Sequence, residues 1–382
     1  MNVIYFCDAD FKKNNNIGGH VSHVIGVIEA LKALGYNVVI ASQGNIPYLK
    51  MDEYEQILLP FPNIKYRKIS ALLWQREVIN TIINSIPNIK PKFIYSRWPN
   101  NIFFKKIKKE YPGLPIILEC NTPLTMNKKM KGVVKKINDR YQDKNNIDMA
   151  SIISAVSDSV NKHLISHFNN VDNKVIINPN GVNIERFKPL VSNLRREYKI
   201  DDSVLVIGFS GHFHTWHRID ILIKAVQMLE FDFRLLIIGK GESWLETELK
   251  NLVQKKYIDK IIFTGLKPYD KIPEYLAICD ILVVPQDKNR PHGSSIKLFE
   301  YMAMGKAIAA ANVEQLAQVI NHSDNGLLFE PNPDNLLVVL RRLAKDKNLR
   351  ESLGARARQD VVSKYTWKEN VSRILDALHA SN

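Results

Sequence analysis

The chain has 382 residues, a length that predicts two domains. Hydrophobic residues make up 45% and charged residues 24%, and these proportions exclude a disordered or fibrous chain. Lysine and arginine outnumber aspartate and glutamate by 53 to 39, a net charge of +14 that favours anionic partners: nucleic acid, acidic lipid head groups or phosphorylated small molecules. We find no apolar run long enough to span a membrane and no secretion-signal pattern at the N-terminus. The three cysteines are few and far apart, which indicates a reducing compartment.

The chain opens with the pattern of a βαβ unit. The apolar run Val3–Phe6 predicts a buried strand. A polar loop ending in Gly18 and Gly19 follows, and apolar residues at three- and four-residue spacing over 20–34 then predict an amphipathic helix. Residues 38–41 predict the next strand. Because such a crossover makes the two strands parallel, the first half is predicted to be a doubly wound α/β domain.

The same alternation returns in the second half of the chain. Strands are predicted at 204–209, 234–238, 261–263, 281–285, 307–311 and 326–329. Helices are predicted at 219–229, after Gly241, and at 272–278, 297–304, 349–364 and 367–378. This half is therefore also predicted to be a doubly wound α/β domain.

A segment rich in turn formers, 178–182, separates the two halves. It predicts a hinge, although a surface loop inside one large domain has the same composition. The predicted domains are 1–180 and 181–365. Residues 366–382 are expected to form a C-terminal helix that packs back on the first domain.

The Gly18-Gly19 pair lies between the first strand and the first helix. Glycine there lets the backbone approach a ligand closely, and a helix N-terminus favours phosphate. The pair is not GxGxxG, and no P-loop motif occurs in the chain, so NAD binding and Walker-type NTP hydrolysis are disfavoured. An ordinary turn would have the same two glycines.

The segment 291–303 carries a second candidate site. Gly293, Ser294 and Ser295 place backbone N–H groups at a predicted helix start, where the helix dipole favours anions; either serine can also cap the helix. Lys297, in the first turn, can reach an anion held there. Glu300 can accept two hydrogen bonds from vicinal hydroxyls such as those of a ribose. The alternative is a capped helix with a Lys/Glu surface pair.

A third cluster, 211–218, contains three histidines and an arginine at the end of a predicted strand. Open α/β sheets bind ligands at the carboxyl ends of their strands. The histidines alternate through a loop without the ligand spacing of a metal centre, so metal binding is disfavoured. Contact with an anion or a sugar, and plain loop packing, remain as interpretations.

Four motifs in this order resemble those of the family 4 retaining glycosyltransferases, or glycosyl transferases group 1. They are Gly18–Val24, Ile177–Pro189, Trp216–Asp220 and His292–Glu300. The resemblance implies an α/β protein with the GT-B fold, two Rossmann-like, doubly wound domains facing a cleft. The implied enzyme is metal-independent and moves a sugar from a nucleotide-diphosphate donor to a glycan or lipid-linked acceptor, in cell-surface polysaccharide synthesis.

The resemblance also implies roles for individual residues. Glu300 would hold the donor ribose, and His217 and Lys297 would face the donor diphosphate. Asn121 would lie beside the reacting sugar and complete the catalytic set. The other donor-binding residues implied are Gly19, Gly211, Arg218, His292, Gly293, Ser294 and Ser295. No cofactor or metal is implied, since the nucleotide sugar is a substrate.

Three departures from the family pattern leave other functions open. His292 stands where a glutamate normally contacts the donor sugar, and His212 where many relatives have a phosphate-binding arginine. Arg218 replaces a glycine and is expected to supply the missing cation. The alternatives are a nucleotide-sugar hydrolase or epimerase with the same fold, and a catalytically silent assembly subunit.

The positive charge is concentrated between residues 105 and 144, a stretch that contains eleven basic and four acidic residues. Met130, Val133, Val134 and Ile137 with lysines between them predict a basic amphipathic helix, which suits an anionic membrane surface. A solvated helix is the alternative. Nucleic acid is not expected as a partner because no aromatic residues interleave the lysines. We therefore expect a cytoplasmic protein, peripheral on the inner face of the membrane.

Overall fold

The computed structural model describes residues 1–7, 19–60, 69–99, 104–126, 132–289 and 293–381. They form two compact units, each with its own sheet. The first runs to Asn180 and includes Gly293–Ser294 and the chain from Trp367 onwards; the second takes the rest of the chain between Gly181 and Thr366. Within the described residues, no helix is both long and apolar enough to cross a membrane.

The first unit contains a seven-stranded parallel sheet. Its strands are β1 (Asn2–Cys7), β2 (Asn37–Ser42), β3 (Glu55–Leu58), β4 (Ile94–Arg97), β5 (Ile116–Cys120), β6 (Ile152–Ala155) and β7 (Val175–Ile177). Its helices are α1 (Gly19–Ala33), α2 (Ile69–Ile89), α3 (Phe104–Glu110), α4 (Val133–Met149) and α5 (Asp158–His167). The strand order is β3-β2-β1-β4-β5-β6-β7. Strands buried on both faces read as continuous apolar runs, as β1 does.

The second unit contains a six-stranded parallel sheet. Its strands are β8 (Leu205–Ser210), β9 (Phe233–Ile238), β10 (Ile261–Gly265), β11 (Ile281–Val284), β12 (Ala307–Ala311) and β13 (Leu327–Phe329). Its helices are α6 (Leu194–Glu197), α7 (Ile219–Val226), α8 (Ser243–Asn251), α9 (Ile272–Ala277), α10 (Ile296–Ala303), α11 (Glu314–Ala317), α12 (Pro333–Lys345) and α13 (Lys347–Lys364). In the strand order β10-β9-β8-β11-β12-β13, successive strands of the chain are added on one side of β8 as far as β10 and on its other side from β11 onwards, with all strands parallel. The carboxyl ends of a strand pair such as β8 and β11 are where open α/β sheets bind ligands.

The last helix, α14 (Trp367–Ala380), belongs to the first unit. Its Trp367 packs against α1, with its ring edge-on to His23 at 4.9 Å between centroids. Gly26 makes room for this indole, since a Cβ at that position would overlap it. Asn370 donates from Nδ2 to the Pro179 carbonyl at 2.6 Å. The helix is thus fixed to the first unit by both packing and hydrogen bonds.

Most strands predicted in the second half match the structure to within two residues, but the helix predicted over 219–229 ends at Val226. The side chain of the next residue, Gln227, forms hydrogen bonds with the segment that follows α8. Its Nε2 donates to the Leu252 carbonyl, and its Oε1 accepts from the Gln254 N–H. These long-range bonds end the helix earlier than its apolar spacing predicts.

Candidate active site

The structure brings together the segment after β8 and the start of α10. Lys297 lies in the first turn of α10, and its Nζ would be 2.9 Å from a Cβ placed on Gly211. Tyr301, one turn further along, accepts a hydrogen bond at its hydroxyl from the Ser210 N–H at 2.7 Å, which fixes the end of β8 against α10. Two motifs 86 residues apart in sequence (211 and 297) therefore form one site in the second unit.

The Lys297 ammonium is buried, although the residue as a whole is partly exposed, and its Nζ has no hydrogen-bond partner among the described residues. It lies 4.2 Å from the centroid of the Phe209 ring, a cation–π contact. Burial lowers the pKa of Lys297 to about 7. A buried ammonium without a hydrogen-bond acceptor is unfavourable, although the nearby Glu300 carboxylate favours its charged form. The site is therefore electrostatically incomplete, and an anion of suitable shape would complete it.

Gly211 is the residue that leaves room for this lysine. Its φ of +136° lies outside the range that side-chain-bearing residues prefer, and a Cβ there would also approach the Lys297 Cε to 3.2 Å. Glycine is thus required for both backbone conformation and space.

Glu300 lies three residues after Lys297 and is only 7% exposed. Tyr269 donates a hydrogen bond from its hydroxyl to Glu300 Oε1 at 3.4 Å, and the Arg186 guanidinium lies 4.9 Å above the Tyr269 ring. Burial raises the pKa of Glu300 to about 7, while Tyr269, Lys297 and Arg186 act in the opposite direction. Because Glu300 and the Lys297 Nζ are both buried, the alternative of a Lys/Glu surface pair is wrong.

The start of α10 differs from the expected capped helix. Ser295 occupies the N-cap position, but its side chain makes no capping bond. Ser294 points to another partner instead: its Oγ accepts from the Asn180 N–H at 3.0 Å, and its carbonyl accepts from Asn180 Nδ2 at 3.0 Å. The expectation that a serine caps this helix is therefore wrong. Gly293 precedes this pair, and His292 lies outside the described residues.

The histidine cluster is ordered by local bonds. His217 Nδ1 lies 2.7 Å from the His212 carbonyl, so that nitrogen carries the proton. Arg218 adopts a left-handed conformation (φ 44°), and its guanidinium pairs with Asp220 through bonds of 2.9 and 3.0 Å. Glycine would adopt this backbone conformation without strain, and the pair with Asp220 engages two of the arginine's donors. No three His, Cys, Asp or Glu side chains in the described ranges converge as a metal site requires.

The remaining predicted residues lie in the first unit. Gly19 is the first residue of α1, and Asn121 follows the last residue of β5. Two residues before Asn121 in the chain, Glu119 forms a buried pair with His23, with Oε2 and Nε2 3.2 Å apart. Burial lowers the pKa of His23, although Glu119 opposes this.

Sequence reasoning missed three residues around the lysine and glutamate. Phe209 underlies Lys297, and Tyr269 and Arg186 surround Glu300. Phe209 was identified only as part of a strand. Arg186 lies within the Ile177–Pro189 motif, but the motif gave it no role. No local pattern identifies Tyr269, because its contact with Glu300 depends on bringing distant segments together.

Two family models match the chain. The model described as "Glycosyl transferases group 1" matches residues 191–360, and that described as "Glycosyltransferase Family 4" matches residues 17–186. An uncharacterized glycosyltransferase of Methanocaldococcus jannaschii is 26% identical over 361 residues, 93% of this chain and 92% of that protein. The N-acetyl-alpha-D-glucosaminyl L-malate synthase of Bacillus anthracis is 26% identical over 241 residues, 59% of each chain.

Solved structures share the fold along the whole chain. Sucrose-phosphate synthase from Thermosynechococcus elongatus superposes with a TM-score of 0.78 at 16% identity, and Anabaena HepE in complex with UDP and glucose with 0.77 at 16% identity; both alignments cover 100% of each chain. The two parallel, doubly wound sheets and the motifs they position thus define a glycosyltransferase of the GT-B fold, as the sequence predicted. The chain belongs to glycosyltransferase family 4, whose two models together account for most of its length.

Proposed function

We propose that the enzyme takes its sugar from a nucleoside-diphosphate donor and that the donor's diphosphate binds beside Lys297. The observation that carries this proposal is the buried Lys297 Nζ, which faces the bare backbone of Gly211 and finds no hydrogen-bond acceptor in the part of the chain that the structure describes. The uncapped start of α10 adds backbone N–H groups and the positive end of a helix dipole. The structural relative HepE is a protein solved with UDP and with UDP-glucose, which supports this class of donor.

Glu300 is proposed to hold the donor ribose. Its carboxylate, once ionised, accepts hydrogen bonds from both vicinal hydroxyls. Tyr269 and Arg186 favour the ionised form, the first by a hydrogen bond and the second by its charge.

Transfer is proposed to occur with retention of configuration, by displacement on the front face of the sugar. Negative charge develops on the departing diphosphate, and preorganised donors stabilise it. Lys297 is placed for that role, and His217 is proposed to assist from the neighbouring loop. The departing phosphate oxygen takes the acceptor's proton, so no strong protein base is needed. Asn121 is proposed to lie beside the reacting sugar, as the family resemblance implies.

A thermal-shift panel tests the donor proposal. UDP-glucose, UDP-N-acetylglucosamine, GDP-mannose, ADP-glucose and a CMP-sugar are each added to the purified protein, and a specific donor raises the melting temperature. Lys297→Met should abolish that rise. If no nucleotide sugar shifts the wild type, the donor proposal is wrong and the silent-subunit alternative gains support. Rapid release of nucleoside diphosphate without any acceptor would instead favour the hydrolase.

We further propose that the acceptor is a glycan or lipid-linked molecule, used in cell-surface polysaccharide synthesis, and that α4 docks the enzyme on the anionic inner face of the membrane. Val133, Ile137 and Tyr141 lie four residues apart on this helix and are 73%, 65% and 49% exposed. Exposed apolar side chains at that spacing form one stripe. Basic side chains exposed on the same helix are Lys135, Lys136, Arg140 and Lys144. Met130 and the Val134 side chain lie outside the described part of the chain.

Vesicle sedimentation tests the docking proposal. Vesicles of phosphatidylcholine with 30% phosphatidylglycerol should bind the enzyme more strongly than pure phosphatidylcholine, and less strongly at high salt. The double variant Val133→Ser/Ile137→Ser should weaken binding roughly tenfold or more. Val338→Ser is the matched control, because Val338 is 64% exposed on a helix of the second unit. Equal binding by both variants would refute docking through α4.

A further inference from the structure

A buried carboxylate on α4, Asp143, holds the segment that follows β5. The residue is fully buried. Its Oδ1 accepts from the Leu124 N–H at 3.1 Å, and its Oδ2 from the Thr125 N–H at 2.8 Å. The Thr125 hydroxyl also donates to Oδ2 at 2.8 Å. Trp98, which follows β4, donates from Nε1 to Oδ1 at 2.9 Å. One side chain thus fixes the polypeptide after two neighbouring strands.

The bonding continues beyond Asp143. A hydroxyl has a single proton, and Thr125 gives it to the carboxylate. The Thr125 oxygen therefore accepts from His163 Nε2, 2.8 Å away, which assigns a proton to that nitrogen. His163 in turn stacks on His167, with ring centroids 4.1 Å apart. The segment is thus held from α4 and from α5.

A carboxylate is a costly group to bury, and it is stable here because four donors converge on it. Such an arrangement specifies position more strictly than an apolar contact would, because each bond constrains distance and direction. The segment that it fixes begins with Asn121, at the carboxyl end of β5.

We propose that Asp143 is a positioning residue for sugar transfer: it fixes the segment 121–126 and thereby Asn121. This inference rests on the proposed function, in which Asn121 lies beside the reacting sugar. Asp143 itself contacts neither donor nor acceptor in this scheme. Its substitution should therefore slow the transfer without changing how tightly the second unit binds the nucleotide.

The test is Asp143→Asn in the full-length protein. The amide keeps the shape of the side chain but replaces one accepting oxygen with an NH₂ group that faces donors. The probe is the nucleotide sugar giving the largest thermal shift in the panel above. The rate is that of slow nucleoside-diphosphate release with water as the acceptor, a transfer that uses the same reacting sugar. We expect the rate to fall about 100-fold, the usual consequence of a misplacement near 1 Å. The dissociation constant for the nucleoside diphosphate, measured by calorimetry, should change less than twofold.

Hydrogen exchange gives a readout that does not depend on turnover. The amide of Leu124 or that of Thr125 should exchange faster in Asp143→Asn, because each bonds a different carboxylate oxygen and asparagine keeps only one acceptor. Asn146→Ala is the matched control: Asn146 is buried on the same helix, but its Nδ2 donates to the Pro99 carbonyl. Asn146→Ala should lower stability without raising the exchange rates of the amides at 124 and 125. It should slow the reaction only in proportion to the fraction of protein that is unfolded.

Thr125→Val serves if Asp143→Asn does not fold, since it removes only the hydroxyl bonds to Asp143 and His163. We expect a rate loss of about tenfold, at the lower end of what a misplaced group costs. A fully active Asp143→Asn or Thr125→Val overturns the positioning role, as does a nucleotide affinity that falls in parallel with the rate. A wild type that binds no nucleotide overturns the proposed function instead, and is seen before any variant is made.

Discussion

Replacing Lys297 with methionine should stabilise the unliganded protein while it weakens nucleotide binding. Methionine matches the length of the lysine stem but has no charge to bury. The lysine Nζ has no hydrogen bond to lose among the described residues. Stability and ligand affinity are thus expected to change in opposite directions.

The magnitude follows from the pKa of Lys297, which burial lowers from 10.5 to about 7. A folded-state pKa below the unfolded value means that the unfolded chain binds more protons between those two values, so the wild type gains stability as pH rises through that range. At 1.36 kcal/mol per tenfold change, the charge costs the wild type about 4 kcal/mol at pH 7 and about 2 kcal/mol at pH 9. The stability advantage of Lys297→Met over the wild type should therefore be about 2 kcal/mol smaller at pH 9 than at pH 7.

Urea denaturation at both pH values measures the stability, and calorimetry with the nucleoside diphosphate measures the affinity. We expect binding to weaken by roughly 10- to 100-fold, as the loss of a charge-assisted hydrogen bond implies. Lys306→Met is the control, because the Lys306 Nζ donates to the Ala277 carbonyl at 2.6 Å and its loss should leave nucleotide affinity unchanged. A Lys297→Met protein that is less stable at pH 7, or that binds nucleotide normally, would refute the reasoning.

Three further predictions concern the same two units. Nucleotide affinity should fall on both sides of pH 7, because binding needs Glu300 ionised and Lys297 protonated, and burial brings the pKa of each to about 7. Calorimetry from pH 5.5 to 8.5 measures this profile. Glu300→Gln should remove the loss of affinity at acidic pH and keep the loss at alkaline pH. Gly211→Ala should weaken nucleotide binding at least tenfold in the same assay, because the new Cβ would displace Lys297 Nζ. Gly26→Ala should destabilise the first unit by roughly 1–3 kcal/mol in urea, through overlap with the Trp367 indole, and leave nucleotide affinity unchanged.

Each of these has an outcome that would contradict it. A flat pH profile in the wild type would mean that neither Glu300 nor Lys297 controls binding. Gly35→Ala provides the comparison for Gly211→Ala, since its φ is also positive (87°) but no atom of the described residues lies within 4 Å of the added Cβ. Equal loss of affinity in both would mean that the loss does not come from displacing Lys297. For Gly26→Ala, normal stability would mean that Trp367 does not fill the space beside it.

Local patterns identified the strands of the second sheet well because those strands are buried on both faces and therefore read as apolar runs. Ile281–Val284 and Ala307–Ala311 are such cases. In the first half the same reasoning located only β1 and β2 and left β3 to β7 unassigned. For β7 the reason is that its three residues are partly exposed, so periodicity has little to detect. β5 and β6 are buried and were left unassigned all the same.

Candidate site residues were identifiable where a motif carried them, as with Lys297 and Glu300, but their states were not. Spacing on one helix could not distinguish a surface pair from two buried groups, because burial depends on what packs over the helix. The serine cap was expected from local preference and fails because Ser294 bonds Asn180 instead. Arg218 shows a similar limit: its pairing with Asp220 depends on a backbone conformation that the sequence does not reveal.

The sequence by itself determined the two α/β halves and the family. It also determined that the residues after β8 and β11 face one another, because parallel strands bring their carboxyl ends to one edge of the sheet. Only the tertiary structure decided that the Lys297 ammonium has no hydrogen-bond acceptor among the described residues and that Tyr269, with Arg186 stacked on its ring, bonds Glu300. It also decided that Asp143 holds the segment after β5. Those facts depend on desolvation and on contacts between residues far apart in the chain, and neither leaves a periodic trace in the sequence.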